Sequence, residues 1–240
     1  MRVRSEFINR QVGKLLWRRG LEIRRRPNFG QFLESRKIDV FLDVGANIGQ
    51  TGLQLRDQGY GGRIVSFEPV KAVFEELKSK ADVDGNWEAH NFALGSAPVR
   101  TPIKVSENTV FNSMLEQTEV ARRFDDSARV LREEIVEVRR LDDIFSRFRG
   151  RRVFLKIVTQ GFEREVLKGA HESLKEIMGV ELILPIAQLY RGNWSLPEAF
   201  AYMSERGFVL GQTGQESFEG ADKVTLLELY CIFRRDTAVT

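Results

Sequence analysis

The sequence predicts a doubly wound α/β fold, in which helices cover both faces of a mostly parallel sheet. From residue 38 onward, apolar segments of strand length alternate with amphipathic segments of helix length. Such alternation is typical of βαβ units. The 240 residues suffice for one large core, and no internal repeat or long linker divides them. We therefore expect a basic N-terminal arm over residues 1–37 and one domain over residues 38–240.

Each predicted element follows from its local pattern. The predicted strands are apolar runs that read IDVFLD, GRIVSFEP, NWEAHNFALGS, EIVEVRR, FLKIV, GVELIL, FVLG and TLLELYCIF. The predicted helices read NIGQTGLQLRDQG, KAVFEELKSKAD, LDDIFSRF, FEREVLKGA and LPEAFAYMSERG. Residues 106–134 are polar and irregular, and they include a short helical stretch near 116–124. This order predicts that strands and helices succeed one another along most of the domain.

The composition excludes several classes of protein. Hydrophobic residues make up 42% and charged residues 30% of the chain, which is typical of a globular protein. No apolar run reaches the ~18 residues of a membrane span, and the charged N-terminus does not resemble a signal peptide. The single cysteine, Cys231, excludes an internal disulfide, and no Cys/His cluster has the spacing of metal ligands. We therefore expect a cytoplasmic protein without a metal site.

The positive charge is concentrated in the N-terminal arm. Residues 1–37 contain eleven Lys or Arg and three Glu, a net charge of +8 that leaves −5 for the rest of the chain. Within this arm, SEFINRQVGKLLWRRG has apolar residues near helical spacing. One interpretation is a basic amphipathic helix on an anionic membrane, with contact through residues 1–26. The other is a helix that packs on the domain. No nucleic-acid recognition pattern is visible, and the sequence leaves the oligomeric state open.

The segment FLDVGANIGQ (residues 41–50) is the strongest sign of a ligand site. A strand ends at Asp43, and Gly45 and Gly49 frame the turn into a helix. Glycine lets a backbone approach a ligand closely, and a helix N-terminus offers unpaired N–H groups to an anion. The next strand ends at Glu68, where a carboxylate is placed to accept both hydroxyls of a ribose. These features predict a cofactor that contains a nucleoside; the alternative is a tight turn beside an incidental Glu68.

The same turn narrows the choice of cofactor. The pattern G-x-G-x-x-G of dinucleotide-binding proteins is absent, because the residues from Gly45 read G-A-N-I-G-Q. A carboxylate at Asp43 also disfavours a pyrophosphate nearby. S-adenosylmethionine fits better, since its ammonium and sulfonium groups suit Asp43 and its carboxylate suits backbone N–H groups. A nicotinamide-dependent oxidoreductase is therefore not expected.

Several motifs together resemble one family. FLDVGANIGQ, VSFEP, FALGS, RRLDDIF, and LKI followed by TQGFEREVLKGA occur in the order and spacing of FkbM-type methyltransferases. The resemblance covers roughly residues 38–235. It implies a class I methyltransferase fold, with a seven-stranded sheet whose last strand is antiparallel. It also implies S-adenosylmethionine as methyl donor and a hydroxyl of a sugar in a glycolipid, polysaccharide or macrocyclic natural product as acceptor.

The residues that match the motifs give the predicted cofactor site. We expect the glycine turn to line the methionine end, Glu68 to hold the ribose, and the residues after the third strand to flank adenine. The predicted cofactor-binding residues are Asp43, Gly45, Ala46, Asn47, Gly49, Gln50, Glu68, Pro69, Phe92, Ala93 and Leu94.

The chain departs from the family at Val158. The family usually has K-I-D at this strand tip, beside the transferable methyl group, whereas this chain has K-I-V. Valine accepts no proton, although a base assists attack by an alcohol. Three explanations remain open: positioning carries the reaction with help from another group, the chain binds the cofactor without turnover, or the valine was introduced into an active parent. YCIF (residues 230–233) and LILPIAQLY (residues 182–190) also look altered.

Four residues are candidates for catalysis. Glu163 starts a helix, so capping that helix is an alternative to catalysis. Gln160 adjoins the altered strand tip. Lys156 alternates with buried strand residues, and we expect its ammonium to reach a polar cleft or a carboxylate. His90 lies in a strand, where a satisfied core histidine is the alternative.

Three residues are candidates for contact with the acceptor. Asn112 and Ser113 lie in NTVFNSML, a segment similar to one in the family, and a simple turn is the alternative. Trp194 in LYRGNW is predicted to stack on a sugar or, alternatively, to pack in the core. The sequence thus predicts an O-methyltransferase of a sugar-containing small molecule or glycolipid, working in the cytoplasm or at the inner face of its membrane. The alternative is a non-catalytic cofactor-binding or interaction protein on the same scaffold.

Overall fold

A computed structural model describes residues 28–219 and 225–235, together with Leu16, Arg18 and Arg19. The strands are β1 (Val40–Val44), β2 (Arg63–Phe67), β3 (Trp87–His90), β4 (Ala93–Leu94), β5 (Val99–Ser106), β6 (Val130–Arg139), β7 (Val153–Ile157), β8 (Ile177–Pro185), β9 (Phe208–Glu219) and β10 (Thr225–Arg235). The α-helices are α1 (Phe29–Ser35), α2 (Gln50–Asp57), α3 (Lys71–Ala81), α4 (Glu119–Phe124), α5 (Leu141–Ile144), α6 (Glu163–Lys168) and α7 (Leu196–Glu205).

The main sheet has seven strands in the order β3-β2-β1-β7-β8-β10-β9. The neighbours from β3 to β8 pair in parallel, whereas β10 runs antiparallel to both β8 and β9. This arrangement confirms the predicted seven-stranded doubly wound sheet with an antiparallel last strand. The parallel strands end at one edge of the sheet, which is where open α/β folds bind ligands.

A second sheet of three strands, in the order β4-β6-β5, was not predicted. β6 begins at Val130, so it includes the last residues of the segment 106–134, which was predicted to be irregular. In that segment α4 is flanked by two 3-10 turns, at Thr109–Phe111 and Asp126–Ala128. The predicted helix LDDIFSRF is also shorter, because α5 ends at Ile144 and continues as a 3-10 turn. β5 and β6 expose alternate residues on one face, which gives them a weaker apolar signal than the central strands.

The core lies on both faces of the main sheet. All five residues of β1 are buried, as expected for a central parallel strand. Phe41 stacks on Phe154 of β7, with ring centroids 5.8 Å apart, in a cluster with side chains of α1, α2 and α3. Leu42 and Leu155 point to the other face and pack with side chains of α5, α6 and α7. Helices therefore cover both faces, as predicted.

Helix α1 packs on the sheet, although it lies within the predicted arm. Asn28 and Gln31 form a reciprocal capping box that fixes the start of this helix. The ring of Phe29 meets the edges of Phe41 and Phe154, with centroids 5.9 and 5.4 Å away. The segment before residue 28, which includes the predicted membrane-binding helix, falls almost wholly outside the described residues. Among the helices that are described, none is long and apolar enough to cross a membrane.

Candidate functional site

A cavity of about 740 Å³ opens at the carboxyl ends of the parallel strands. This volume is within the range of small-molecule sites. Its walls come from three parts of the chain. The first is the glycine turn with the ends of β2 and β4, the second is the segment 109–114, and the third is formed by β8, β9 and β10. Val158 lies between these walls, directly after β7.

The glycine turn owes its residue types to packing between strands and helices. Gly45 has a φ of +75°, and a Cβ there would lie 1.9 Å from the carbonyl oxygen of Val158. Gly49 has a φ of +89°, and a Cβ there would lie 3.0 Å from Leu77 and Trp87. Both positions therefore require glycine for backbone conformation and for close packing within the protein, whereas the sequence attributed this need to a ligand.

The amides of this turn are already occupied. Gly45 and Ala46 donate to the carbonyl of Phe67, at 3.0 and 3.1 Å, and Asn47 donates to Glu68 at 3.0 Å. The amide of Ile48 donates to the side chain of Asn47. The predicted free N–H groups are therefore to be sought at the N-terminus of α2 and not in the turn before it. The first amides of α2 have no partner within the helix, and Gln50 and Thr51 of that turn line the cavity.

Glu68 holds the turn and faces the cavity. One carboxylate oxygen accepts the amide of Asn47 and the other accepts the amide of Val70, each at 3.0 Å. Each oxygen therefore keeps a lone pair for a further donor. Burial raises the pKa of Glu68 to about 7, against the influence of the two amides, which lower it. Asn47 also bonds to Thr109, so it connects the turn to the neighbouring wall.

Lys156 and Asp43 form a buried ion pair beneath the cavity. The ammonium of Lys156 lies 2.8 Å from Oδ1 of Asp43, which confirms that this lysine reaches a carboxylate. Asp43 is fully buried, and its Oδ2 has no hydrogen-bond partner within the described structure. Lys156 lines the cavity, whereas Asp43 lies behind it, so the predicted contact of Asp43 with the cofactor stays a prediction. Asp43 acts on the cavity through Lys156.

Glu163 organises the turn after Val158. Its Oε1 accepts the amide of Thr159 at 2.8 Å, the hydroxyl of Thr159 at 3.1 Å and the amide of Gly161 at 3.3 Å. The side chain is 2% exposed and does not line the cavity. This geometry favours a structural role for Glu163, since Oε1 holds the turn; Oε2 is buried and has no partner in the described structure. The pKa of Glu163 is raised by burial.

A comparison with known families identifies the chain. The model of the family described as "Methyltransferase FkbM domain" matches residues 43–210, which is more than half of the chain. The chain belongs to the FkbM methyltransferase family. The match confirms the resemblance inferred from the motifs, over a somewhat shorter range than the predicted 38–235. A search of curated protein sequences finds no significant match.

Solved structures share only a distant likeness with this FkbM methyltransferase. A magnesium protoporphyrin IX methyltransferase from Synechocystis, crystallised with bound SAM, is 12% identical with a TM-score of 0.46, over 93% of this chain and 91% of that one. A precorrin-6y C5,15-methyltransferase from Geobacter metallireducens is 12% identical with a TM-score of 0.43, over 86% and 87% of the two chains. The assignment of the fold rests on the observed strand order and on the family match.

The FkbM motifs bring most of the predicted cofactor residues to the cavity. The residues that line it are Gly45, Ala46, Asn47, Gln50, Glu68, Pro69, Ala93 and Leu94. Gly49 does not line it, because it packs on α3 and β3. Phe92 is buried against Phe67, and the guanidinium of Arg139 lies 4.2 Å from its ring, so its predicted contact with adenine is also corrected.

His90 lies far from the altered strand tip. It ends β3, which β2 and β1 separate from β7. At about 4.8 Å between neighbouring strands, the separation is roughly 14 Å. Its ring stacks on Phe67, with centroids 5.5 Å apart, and burial lowers the pKa of the imidazole. This position disfavours a catalytic His90. The alternative of a satisfied core histidine is met only in part, because Nε2 has no hydrogen-bond partner in the described structure and lies 3.6 Å from Glu88.

Two of the three predicted acceptor contacts are structural. Trp194 is 2% exposed and packs in the core, edge to face with Tyr202 at 5.6 Å, which corrects its predicted stacking on a sugar. Ser113 is buried and donates to the carbonyl of Gln160 at 2.7 Å. Asn112 lines the cavity, as do Thr159 and Gln160. Gln160 has a φ of +54°, an uncommon value for a residue other than glycine.

Three carboxylates that line the cavity were not predicted from the sequence. Glu181 lies in β8, Glu216 in β9 and Glu228 in β10, and all three line the cavity. Burial raises the pKa of Glu181 and of Glu228 to about 7, and it also raises that of Glu216. A charged residue inside the apolar run GVELIL was a usable signal, because such a position is seldom charged in a parallel strand.

Proposed function

We propose that this FkbM methyltransferase is an S-adenosylmethionine-dependent O-methyltransferase that acts on a hydroxyl of a sugar in a glycolipid or related glycosylated natural product. One observation carries the proposal. A single cavity contains both Glu68, at the end of β2, and the strand tip at Val158. A nucleoside-bearing donor and an acceptor would thus meet in one enclosed space, as group transfer requires.

The residues present fit the proposed cofactor. Glu68 has a free lone pair on each oxygen for the two hydroxyls of a ribose. The N-terminal amides of α2, beside Gln50 and Thr51, suit a carboxylate. Ala93 and Leu94 add apolar surface of the kind that a purine ring covers. When bound, S-adenosylmethionine would supply a methyl group activated by its sulfonium.

The chain must also assist loss of the proton from the acceptor hydroxyl. Val158 leaves the strand tip without a base, but Glu181 lies nearby on β8. Glu181 pairs in register with Lys156, two residues before Val158, on the same face of the sheet. A carboxyl group with a pKa raised to about 7 is well suited to accept a proton near neutral pH. We therefore assign the role of general base to Glu181, with Gln160 and Asn112 as polar contacts for the acceptor.

A second function remains a candidate because of Val158. The side chain at the strand tip offers neither a proton acceptor nor a hydrogen bond, whereas the parts that fit a cofactor are intact. A non-catalytic protein that binds S-adenosylmethionine would have these properties. It predicts cofactor affinity without methyl transfer to any acceptor.

Isothermal titration calorimetry tests the cofactor proposal first. Micromolar binding of S-adenosylmethionine, with no binding of NAD, is the expected result. Glu68→Ala should weaken binding at least tenfold, because it removes both ribose acceptors. Glu88→Ala is the matched control, since that carboxylate ends in salt bridges with Arg63 and Arg147 away from the cavity. Equal affinity in both variants would contradict the assignment of the ribose site.

Methyl transfer separates the two candidate functions. Radiolabelled S-adenosylmethionine should label a glycolipid acceptor with the unmodified chain, and Glu181→Gln should reduce the rate at least a hundredfold. A non-catalytic protein would show no labelling in either.

The charge of the basic arm suggests where the protein meets its acceptor. We propose that residues 1–26, with their excess of Arg and Lys, bind the inner face of a membrane that contains the acceptor. A truncated chain without residues 1–25 should bind anionic liposomes less tightly than the full chain. Equal binding would refute the membrane contact and leave the transfer reaction untouched.

A further inference from the structure

The cavity is strongly acidic toward β8, β9 and β10. Within the described residues, its lining contains four glutamates, at positions 68, 181, 216 and 228, and one basic residue, Lys156. Glu68 belongs to the cofactor end. The three other glutamates lie on the far wall, where the proposed reaction places the acceptor. The acceptor end therefore carries an excess of negative charge.

Lys156 offsets the charge of this wall only in part: it lowers the pKa of Glu181 and of Glu216, but against the larger effect of burial. Its ammonium is bonded to Asp43, which lies beside it in β1, while Glu181 lies beside it in β8. The three side chains form a row across neighbouring strands, with two carboxylates for one ammonium. The second carboxylate oxygen of Asp43 is fully buried and has no partner in the described structure. The row thus has one carboxylate more than its ammonium balances, and Glu181 is the carboxylate of the row that lines the cavity.

The remaining two carboxylates stand on the hairpin of β9 and β10. Glu228 accepts the hydroxyl of Ser217 at 2.7 Å, and among the described side chains neither Glu228 nor Glu216 forms a salt bridge. Glu216 lies next to Ser217, and its negative charge helps to raise the pKa of Glu181 and of Glu228. Unpaired carboxylates in a partly desolvated cavity repel one another, and a cation between them would relieve this repulsion.

We propose that the acceptor carries a protonated amine, which binds between Glu216 and Glu228 while a neighbouring hydroxyl faces Val158 and Glu181. An acceptor of this class is an amino sugar or a glycoside with an aminoalkyl substituent. A metal ion is a poorer occupant, because no group of three acidic, His or Cys side chains in the described part of the chain has the geometry of a metal site. The ammonium is recognised by charge and is not the methylated atom.

This inference rests on the proposed function, so its test must separate the two. The probes are methyl 6-amino-6-deoxy-α-D-glucoside, which is cationic, and methyl α-D-glucoside, which is neutral and of equal size. Calorimetry at pH 8 keeps the primary amine protonated and the glutamates ionised. Each probe is titrated with and without S-adenosylhomocysteine, and the binding of S-adenosylhomocysteine itself is measured separately. The preference for the cationic probe is therefore measured even if S-adenosylhomocysteine does not bind. Failure of S-adenosylhomocysteine to bind would count against the proposed function and not against the charge preference.

The expected result is that the cationic probe binds the unmodified chain at least tenfold more tightly than the neutral probe. In the double variant Glu216→Gln with Glu228→Gln, the preference should fall to about unity. Glu205→Gln, at the exposed end of α7, is the matched control and should keep the full preference. Glutamine is nearly isosteric with glutamate, and a thermal melt of each variant verifies folding. Equal binding of the two probes, binding of neither, or a preference that survives the double variant would overturn the proposal.

Discussion

Replacing Gly45 with alanine should destabilise the protein far more than the same change at an open glycine. Gly45 joins β1 to the glycine turn, and it packs directly against the backbone of Val158 at the tip of β7. An added Cβ would lie 1.9 Å from the carbonyl oxygen of Val158 and 2.9 Å from its carbonyl carbon. Neither atom belongs to a flexible side chain, so the strand tips themselves must move apart.

The magnitude follows from two contributions. The left-handed backbone at a φ of +75° costs an alanine about 1–2 kcal/mol. Separating the tips also weakens the hydrogen bond from the amide of Val158 to the carbonyl of Val44, which is 3.0 Å long in the unmodified protein. Weakening this bond and the hydrogen bonds beside it costs about 1 kcal/mol for each bond. The total is about 3–5 kcal/mol. For a chain of this size, that corresponds to a fall in Tm of roughly 10 °C.

Gly59→Ala is the matched control. Gly59 has a φ of +86°, and its added Cβ would meet no atom within 4 Å. It should therefore show the conformational cost of about 1–2 kcal/mol alone. Urea denaturation of both variants and the parent gives the two free energies of unfolding. Equal losses in the two variants would refute the argument that Gly45 is required for strand packing.

Three further predictions concern buried charges and the core. Lys156→Met should cost about 3–5 kcal/mol because it leaves the fully buried Asp43 unpaired, and the double variant with Asp43→Asn should recover most of this loss in denaturation experiments. The free energy of unfolding should fall as pH rises from about 4.5 to about 7, because Glu68, Glu181 and Glu228 retain protons in the folded protein that the unfolded chain has released. Glu228→Gln should make this fall shallower. A free energy of unfolding that rises with pH in that window would contradict the raised pKa values. Trp194→Ala should lose about 3–5 kcal/mol of stability without changing the affinity for S-adenosylmethionine, and a weaker affinity at unchanged stability would restore a role in binding.

The central sheet was predictable because its pattern is unambiguous. β1 and β7 are buried on both faces and read as continuous apolar runs between turns. The small sheet was less accessible, because its strands are partly exposed and its pairing joins distant segments. Val99 pairs with Val138, for example, and nothing local in either segment specifies the other. Local patterns predict that a strand forms, whereas its partner depends on the tertiary fold.

The cofactor side of the site could be predicted for a similar reason. Asp43, Gly45 and Glu68 occur at strand ends, and the ends of parallel strands meet at one edge of the sheet. The roles of individual residues were harder to assign. Gly45 and Gly49 accommodate neighbouring backbone and side chains, Glu163 closes its own turn, and Trp194 fills the core. Each of these contacts depends on residues far away in sequence, so the residue type alone did not determine it.

On the acceptor side, a carboxylate lies near the strand tip that lacks one. Val158 removes a carboxylate from the tip of β7, but strand register places Glu181 on the same face two residues earlier, across from Lys156. Glu228 lies on β10 two residues before Tyr230. Because successive side chains of a strand point to opposite faces, both of these side chains lie on the same face of the sheet and line the cavity. The wall beside Val158 therefore carries negative charge, although the strand tip itself has none. With Glu181 as the proposed base, Val158→Asp alone should not raise the rate of methyl transfer, because the base is already present. In a chain that carries Glu181→Gln, Val158→Asp should restore part of the lost rate, and no recovery there would contradict the role proposed for Glu181.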